Sequence, residues 1–416
     1  MQLSLFDGSQ QFKIDKPIRL IELFAGIGSQ AKALKNLGAN FEHYRICEFD
    51  KYAVQGYNAV HGTNFETSDI TKINADDLGI VDTDKYCYIM TYSFPCQDLS
   101  NAGLGKGMAK GSGTRSGLLW EVERLLDECK ELPNVLIMEN VPAVIGAKNV
   151  EHFAKWQEKL EQLGYKNKWQ VLNAKDYGIP QNRERCFMVS ILGDYYYDFP
   201  KTIPLKLRLK DMLEKEVDEK YYLSDRAING MLNSTFNCST LEARTEKDGV
   251  MPTLCARDYK DPKLVIEETD KCNCIGTLQG GKWDKMHDIA KRVYSPNGCS
   301  PTIHTCGGGN LEPKVIIGVG EKKSNGGTQW YQQDRVYDNE LAISVTTSFN
   351  PFYKDNAYRI RKLTPKECWR LMGFEDTDIE NAIAIGMSNA QLYKQAGNSI
   401  VVNVLMAIFR QMLKEN

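Results

Sequence analysis

Strand-length apolar blocks alternate with amphipathic stretches from Ile18 to about residue 190. Ile18-Arg19-Leu20-Ile21-Glu22-Leu23-Phe24 predicts a first strand, Gly26-Ile27-Gly28 a tight turn, and Ser29 to Leu37 a helix closed by Gly38. A second strand, Tyr44 to Cys47, ends at Glu48. Tyr86 to Tyr92 and Val135 to Met138 are uninterrupted apolar runs of the kind a strand buried on both faces requires. Val150 to Leu163 is amphipathic at helical spacing and stops at Gly164. This alternation predicts an α/β fold, a mixed and mostly parallel sheet with helices on both faces.

Beyond about residue 200 the pattern breaks into short β-like pieces separated by Gly, Asn, Thr and Pro. Arg292-Val293-Tyr294 recurs as Arg335-Val336-Tyr337, and Pro252-Thr253-Leu254 resembles Pro301-Thr302-Ile303. Either duplicated β-units or chance similarity in strand-rich sequence accounts for this. Helical texture returns at Arg361, where Thr364-Pro365-Lys366-Glu367 carries a cap residue, a first-turn proline and the acid of a capping box. Gly373 ends that helix, and Asn398 to Leu413 reads as a closing helix. Four stretches result: a tail over 1–17, the α/β domain over 18–204, a smaller β-rich domain over 205–355, and helices over 356–416 that return to the first domain.

Composition narrows the class. A chain of 416 residues, 42% apolar and 25% charged, suits a soluble globular protein of two domains. Its apolar runs fall far short of the roughly 18 residues a membrane span needs. The polar N-terminus lacks the marks of a secretion signal, so the expected location is cytoplasmic. Twelve cysteines without framework spacing fit a reducing compartment. Cys272-x-Cys274 is not a zinc spacing and five histidines do not cluster with acids, so no metal site is read. A net charge of −2 argues against general basicity. Residues 271–330 nevertheless hold eight Lys/Arg against four Asp/Glu, a mild local excess where nucleic acid could bind.

Candidate chemistry lies at strand ends. Gly26-x-Gly28-x-x-Ala31 follows a strand and opens a helix, with Glu48 placed 20 residues past Gly28 to grip ribose hydroxyls. Alone, this fits a dinucleotide oxidoreductase as well as an S-adenosylmethionine enzyme. Ser93-Phe94-Pro95-Cys96-Gln97 places a thiol at a strand mouth, ahead of a segment carrying Gly103, Gly105, Gly107, Gly111 and Gly113. Glu139-Asn140-Val141 ends the run Val135-Leu136-Ile137-Met138, which brings its carboxylate to the same sheet edge. Gln181-Asn182-Arg183-Glu184-Arg185 sets two guanidiniums at alternate positions, on one face of a strand that continues through Cys186.

In this order the residues resemble the cytosine-carbon-5 DNA methyltransferases over roughly 18–200 and 357–416. Phe24-Ala25-Gly26-Ile27-Gly28 resembles the family's first cofactor motif, and Asp69-Ile70 its adenine-side contact. Thr114-Arg115-Ser116-Gly117-Leu118 resembles its fifth motif, and Arg361-Lys362-Leu363-Thr364-Pro365 its ninth. Ala174 to Pro180 matches the segment before the arginine motif, and Gln395-Ala396-Gly397-Asn398-Ser399 belongs to the same set. The resemblance implies a Rossmann-like methyltransferase domain and S-adenosylmethionine, leaving as S-adenosylhomocysteine. It implies cofactor contacts at Phe24, Gly26, Ile27, Gly28, Glu48, Phe49, Asp69, Ile70, Pro95, Leu118, Asn398 and Ser399, and catalysis by Cys96, Glu139, Arg183 and Arg185. Arg185 would lie nearer the cytosine and Arg183 nearer the DNA backbone.

The chemistry is consistent with that set. Carbon 5 of cytosine is a poor nucleophile until a thiolate adds to carbon 6, and a free thiol is mostly protonated at neutral pH. A nearby guanidinium favours the thiolate, and a carboxyl sharing a proton with ring nitrogen 3 takes up charge as it adds. The base must leave the stack first, and segment 101–117 would close over it. By the same resemblance 205–355 reads the target sequence in double-stranded DNA. Gln2-Leu3-Ser4-Leu5-Phe6 resembles the peptide that bacterial replication proteins insert into the sliding clamp, though a tail packed on its own domain fits too. The expectation is a monomeric bacterial or phage enzyme at the nucleoid, either orphan or linked to a restriction endonuclease. An RNA methyltransferase of the same chemistry does not call for the long middle domain. An oxidoreductase leaves Cys96, Glu139 and Arg185 without purpose, and a non-catalytic DNA-binding scaffold has no reason to keep Cys96 and Glu139.

Overall fold

A computed structural model describes residues 10–95, 99, 107–111, 113–221, 274–277, 292–294, 299–300, 314–318 and 358–414. The elements in chain order begin with β1 (Gln10–Gln11), β2 (Ile18–Leu23), α1 (Ser29–Asn36), β3 (Phe41–Cys47), α2 (Lys51–His61), α3 (Ala75–Leu78), β4 (Cys87–Tyr92) and α4 (Leu119–Glu128). Next come β5 (Val135–Asn140), α5 (Val150–Gln162), β6 (Tyr165–Asn173), β7 (Glu184–Leu192) and β8 (Tyr195–Tyr196). The later elements are β9 (Cys274–Thr277), β10 (Arg292–Tyr294), β11 (Lys314–Gly318), β12 (Tyr358–Lys362), α6 (Pro365–Arg370), α7 (Asp376–Ala384), α8 (Asn389–Asn398) and α9 (Val402–Met412).

Two compact units are distinguished. The first takes in Met1–Ile179, Arg183–Leu205 and Trp369–Asn416; the second takes in Pro180–Asn182 and Lys206–Cys368. In the first unit six strands form one sheet in the order β3-β2-β4-β5-β7-β6. The four from β3 to β5 run parallel, while β7 is antiparallel to both β5 and β6. Every residue of β4 and β5 is buried, as strands covered on both faces must be. On one face Trp156 of α5 and Leu125 of α4 pack with Tyr92 and Met138, and the Trp156 indole donates to the Tyr92 hydroxyl at 3.0 Å. Elsewhere in this unit the buried Lys32 of α1 pairs with Asp378 of α7 at 2.8 Å.

Three expectations change. Residues 10–17 are not a tail, because β1 pairs in parallel with β8 and the Ile14 amide donates to the Met412 carbonyl at 2.8 Å. The final helix does not start at Asn398. That residue ends α8, Ser399 is extended at φ −71° and ψ 158°, and α9 begins at Val402. The arginine pair is not on a strand face, since β7 begins only at Glu184 and Arg183 precedes it.

In the second unit the described strands form a four-stranded sheet in the order β12-β11-β10-β9, with β10 and β11 parallel. The capping box at the start of α6 is present: the Glu367 amide donates to Thr364 Oγ1 at 3.2 Å, and the Thr364 amide to Glu367 Oε2 at 2.8 Å. Of the repeated pieces, Arg292–Tyr294 is β10. Arg335-Val336-Tyr337, both Pro-Thr pieces, Cys272 and the peptide Gln2 to Phe6 lie outside the described residues. No helix among the described residues is long and apolar enough to cross a membrane.

Candidate active site

Sheet register fixes where the functional side chains emerge. Leu23 pairs with Cys47 and with Tyr92, and Tyr92 pairs with Met138, so these four residues form one row across the parallel strands. The next residues along, Phe24, Glu48 and Ser93, leave the sheet at its carboxyl edge, where Glu139 is the penultimate residue of β5 and pairs with Phe187; open α/β sheets hold their ligands at this edge. Because β7 runs the other way, its start lies at this edge: Cys186 pairs with Asn140. Arg185 is the residue just before, and its Nε lies 3.1 Å from Glu139 Oε1. Both side chains are mostly buried, at 16% and 11% exposure, which makes the pair a shielded one.

Arg183 makes different contacts. Its buried guanidinium donates from Nη2 to the carbonyls of Gly397 at 3.0 Å and Ser399 at 2.8 Å. The geometry thus brings Arg185 to Glu139 and Arg183 to the junction between α8 and α9. Asn398 is exposed at the end of α8, while the Ser399 hydroxyl donates back to Gln395 at 2.8 Å. Ile400 ties this junction to the start of α1 by donating its amide to Ser29 Oγ at 3.2 Å.

The β2–α1 turn carries backbone strain at a ligand edge. Phe24 has φ +59°, Gly26 +56° and Gly28 +78°; for a phenylalanine the left-handed region is uncommon and concentrates at functional turns. A Cβ on Gly26 would meet nothing within 4 Å, so the turn opens onto free space there. A Cβ on Gly28 would lie 2.3 Å from His61 Nε2, so that glycine answers a packing demand from below. His61 Nε2 donates to the Ile27 carbonyl, 3.1 Å away. Glu48 holds the turn from the side, accepting the Gly26 amide at 3.0 Å and the Asp50 amide at 2.9 Å. Burial raises its pKa while those amides oppose the shift. With the Phe49 amide also directed at it, the carboxylate keeps acceptor capacity for an incoming hydroxyl.

These features fit a nucleoside with a charged tail. Gly26 leaves room, Glu48 supplies acceptors, and Phe49, 75% exposed, offers a bare ring face beside it. Asp69 is partly exposed and spends Oδ1 on the Thr71 amide and hydroxyl, while Ile70 is buried beneath. Leu118 is half-buried at the end of the 3₁₀ turn Arg115–Leu118.

Cys96 lies outside the described residues, but its immediate support does not. Phe94 is buried, and the Phe94 carbonyl accepts from Asn140 Nδ2 at 2.9 Å. The Pro95 carbonyl accepts from Ser116 Oγ at 2.7 Å. The Cys186 thiol also reaches this edge, but burial pushes its pKa up to about 12, which makes it inert. Asn140, Ser116 and His61 carry no role in the sequence reading. Their partners are main-chain carbonyls, which leave no trace in residue type; the only signal was that Asn140 and Ser116 sit inside quoted motifs.

Comparison with known proteins is concordant. Residues 18–414 match the model of the family described as C-5 cytosine-specific DNA methylase. The orphan methyltransferase M.SPBetaI of Bacillus phage SPbeta is 30% identical, with 95% of this chain and 97% of that protein covered. The orphan methyltransferase M.SssI of Spiroplasma monobiae is 37% identical over 74% of this chain and 85% of its own length. The type II methyltransferase M2.ScrFI of Lactococcus lactis is 31% identical, covering 95% and 99%. Among solved structures, the Entamoeba histolytica methyltransferase EhMeth superposes with TM-score 0.62 at 15% identity, covering 95% and 98%. The S. pombe Dnmt2 methyltransferase superposes with TM-score 0.59 at 19% identity, covering 94% and 96%. At such identity these two show the fold.

Proposed function

Because the chain belongs to the C-5 cytosine-specific DNA methylase family, and with it to the DNA cytosine methyltransferases, we propose how it methylates its target. The substrate is a cytosine turned out of double-stranded DNA. The methyl donor is S-adenosylmethionine, whose sulfonium makes the methyl group electrophilic. Gly26, Ile27 and Gly28 carry its charged end, Glu48 its ribose, and Phe49, Asp69 and Ile70 its adenine, with Phe24, Pro95, Leu118, Asn398 and Ser399 around it. The Cys96 thiolate adds to carbon 6 of the cytosine. Glu139 shares a proton with ring nitrogen 3 as charge builds there, and Arg185 fixes the carboxyl. Carbon 5, made electron-rich by that addition, takes the methyl group as its bond to the sulfonium breaks, releasing S-adenosylhomocysteine. The carbon-5 proton then passes to a solvent base, and the electron pair left behind re-forms the ring double bond and expels the Cys96 thiolate from carbon 6.

The Arg185–Glu139 pair carries this reading. A shielded carboxyl oriented by a guanidinium at the strand edge, next in the chain to the Asn140 that holds the Phe94 carbonyl, is an arrangement a solvated surface carboxylate does not need. Residues 205–355 supply sequence recognition, and the relatives' names support either an orphan role or a place beside a restriction endonuclease. Bisulfite sequencing of DNA from cells expressing the chain reads activity, base and sequence context together. Conversion-resistant cytosines in one fixed context are expected, along with a covalent complex on 5-fluorocytosine DNA. A Cys96→Ser protein that still methylates at the wild-type rate overturns the mechanism.

A further inference from the structure

Ser116 stands at the centre of an arrangement that the proposed mechanism does not use. The segment 96–106 begins after Pro95 and ends before Gly107. Both of its ends hang on one short stretch, Thr114 to Trp120. At the near end Ser116 Oγ donates to the Pro95 carbonyl at 2.7 Å. At the far end Thr114 Oγ1 donates to the Gly107 carbonyl at 3.1 Å, and Trp120 Nε1 to the Met108 carbonyl at 2.8 Å. The stretch itself is stiff, since the Gly117 amide donates to both the Thr114 carbonyl and its Oγ1, at 3.0 and 3.1 Å. Ser116 is fully buried, so its bond to Pro95 does not compete with water.

The Pro95 carbonyl carbon is bonded to the Cys96 nitrogen. Fixing that oxygen fixes the peptide plane from which the thiol-bearing carbon departs. Asn140 fixes the preceding plane through the Phe94 carbonyl. Two successive peptides are therefore held, one by the end of β5 and the other by the 3₁₀ turn.

We infer that Ser116 is a positioning residue for the methyl-transfer reaction, setting the Pro95–Cys96 peptide so that the thiol approaches carbon 6 from the face of the ring. This rests on Cys96 being the nucleophile. Misplacing a reacting group by a fraction of an ångström to an ångström costs about 10- to 100-fold in rate while leaving ground-state binding alone.

The test is single-turnover methylation of duplex DNA by the full chain. Ser116→Ala is expected to lower the rate constant about 10- to 100-fold, with dissociation constants for DNA and for S-adenosylmethionine within twofold of wild type. Ser116→Cys, kept reduced, is nearly the same size and carries a weaker donor; it should give an intermediate rate with the same unchanged binding. A wild-type rate in Ser116→Ala overturns the inference. So does a loss shared equally by rate, binding and melting temperature, which marks a structural role. If Ser116→Ala fails to fold, Ser116→Cys decides alone: a lowered rate with unchanged binding supports the inference and a wild-type rate overturns it. Cys96→Ser run in parallel separates the two readings, because a dead Cys96→Ser beside a fully active Ser116→Ala rejects the positioning role and leaves the nucleophile standing.

Discussion

Glu139 and Arg185 are 46 residues apart in sequence and 3.1 Å apart in space, and their chemistry depends on that closeness. Replacing Glu139 by Gln keeps the shape and removes the shared proton. Methylation should fall about 10²- to 10⁴-fold in single-turnover assays, with DNA binding retained. A second carboxyl, Glu22, has a different use. It is fully buried, accepts from the Tyr57 hydroxyl at 2.6 Å, and burial pushes its pKa up to about 7. The folded protein therefore keeps a proton that the unfolded chain releases near 4.5. Stability from this site is complete below that value and drains away as pH rises through about 7, by up to roughly 3 kcal/mol at about 1.4 kcal/mol per unit. Glu22→Gln should melt at a higher temperature than wild type at pH 8, and the advantage should vanish by pH 5. Glu139 was legible because it ends a run of four apolar residues, where a carboxylate has no packing reason to be. Arg183 was misread: its spacing from Arg185 matched a strand face, whereas its guanidinium holds the Gly397 and Ser399 carbonyls far along the chain.

Among the elements, the turn between β2 and α1 shows what a motif pattern conveys and what it omits. Gly-x-Gly announced a tight turn, but the two glycines answer different demands. Gly28→Ala drives a methyl group to 2.3 Å from His61 and should lower the melting temperature sharply. Gly26→Ala meets open space at φ +56°, so its folding cost is only about 1–2 kcal/mol. There the methyl group occupies the room proposed for the donor's charged end. Gly26→Ala should therefore weaken S-adenosylmethionine binding by calorimetry more than it weakens the fold, and Gly28→Ala the reverse. Strands β4 and β5 were legible from their apolar runs to within two residues, because burial on both faces leaves few polar positions. The break at Ser399 was not, because the stretch from Asn398 to Leu413 is apolar at helical spacing on both sides of it. What holds the straightened chain there is tertiary: Arg183 on the Gly397 and Ser399 carbonyls and Ser29 on the Ile400 amide.

At the scale of the whole molecule, the first unit carries the sheet edge with Glu48, Glu139 and Arg185, while Lys206–Cys368 falls to the second unit. If 205–355 reads the DNA, exchanging it for the corresponding stretch of a relative should move methylation to the relative's sequence context. The single-turnover rate on that new site should stay within about tenfold of the parent, the scatter expected when a site is re-seated without loss of its reacting groups. Bisulfite sequencing of the recipient DNA reads the outcome. The boundary between the two units at Lys206 coincides with the change of texture near residue 200. The docking of residues 10–17 was not, because Gln10-Gln11 pairs through its backbone with Tyr195-Tyr196. The first unit is also assembled from both halves of the gene product: Lys32 needs Asp378, Ser29 needs Ile400, and Ile14 needs Met412. A ribosome must therefore release the polypeptide past Met412 before that unit can close, and a chain stopped short of that point cannot complete the sheet edge on which methylation is proposed to occur.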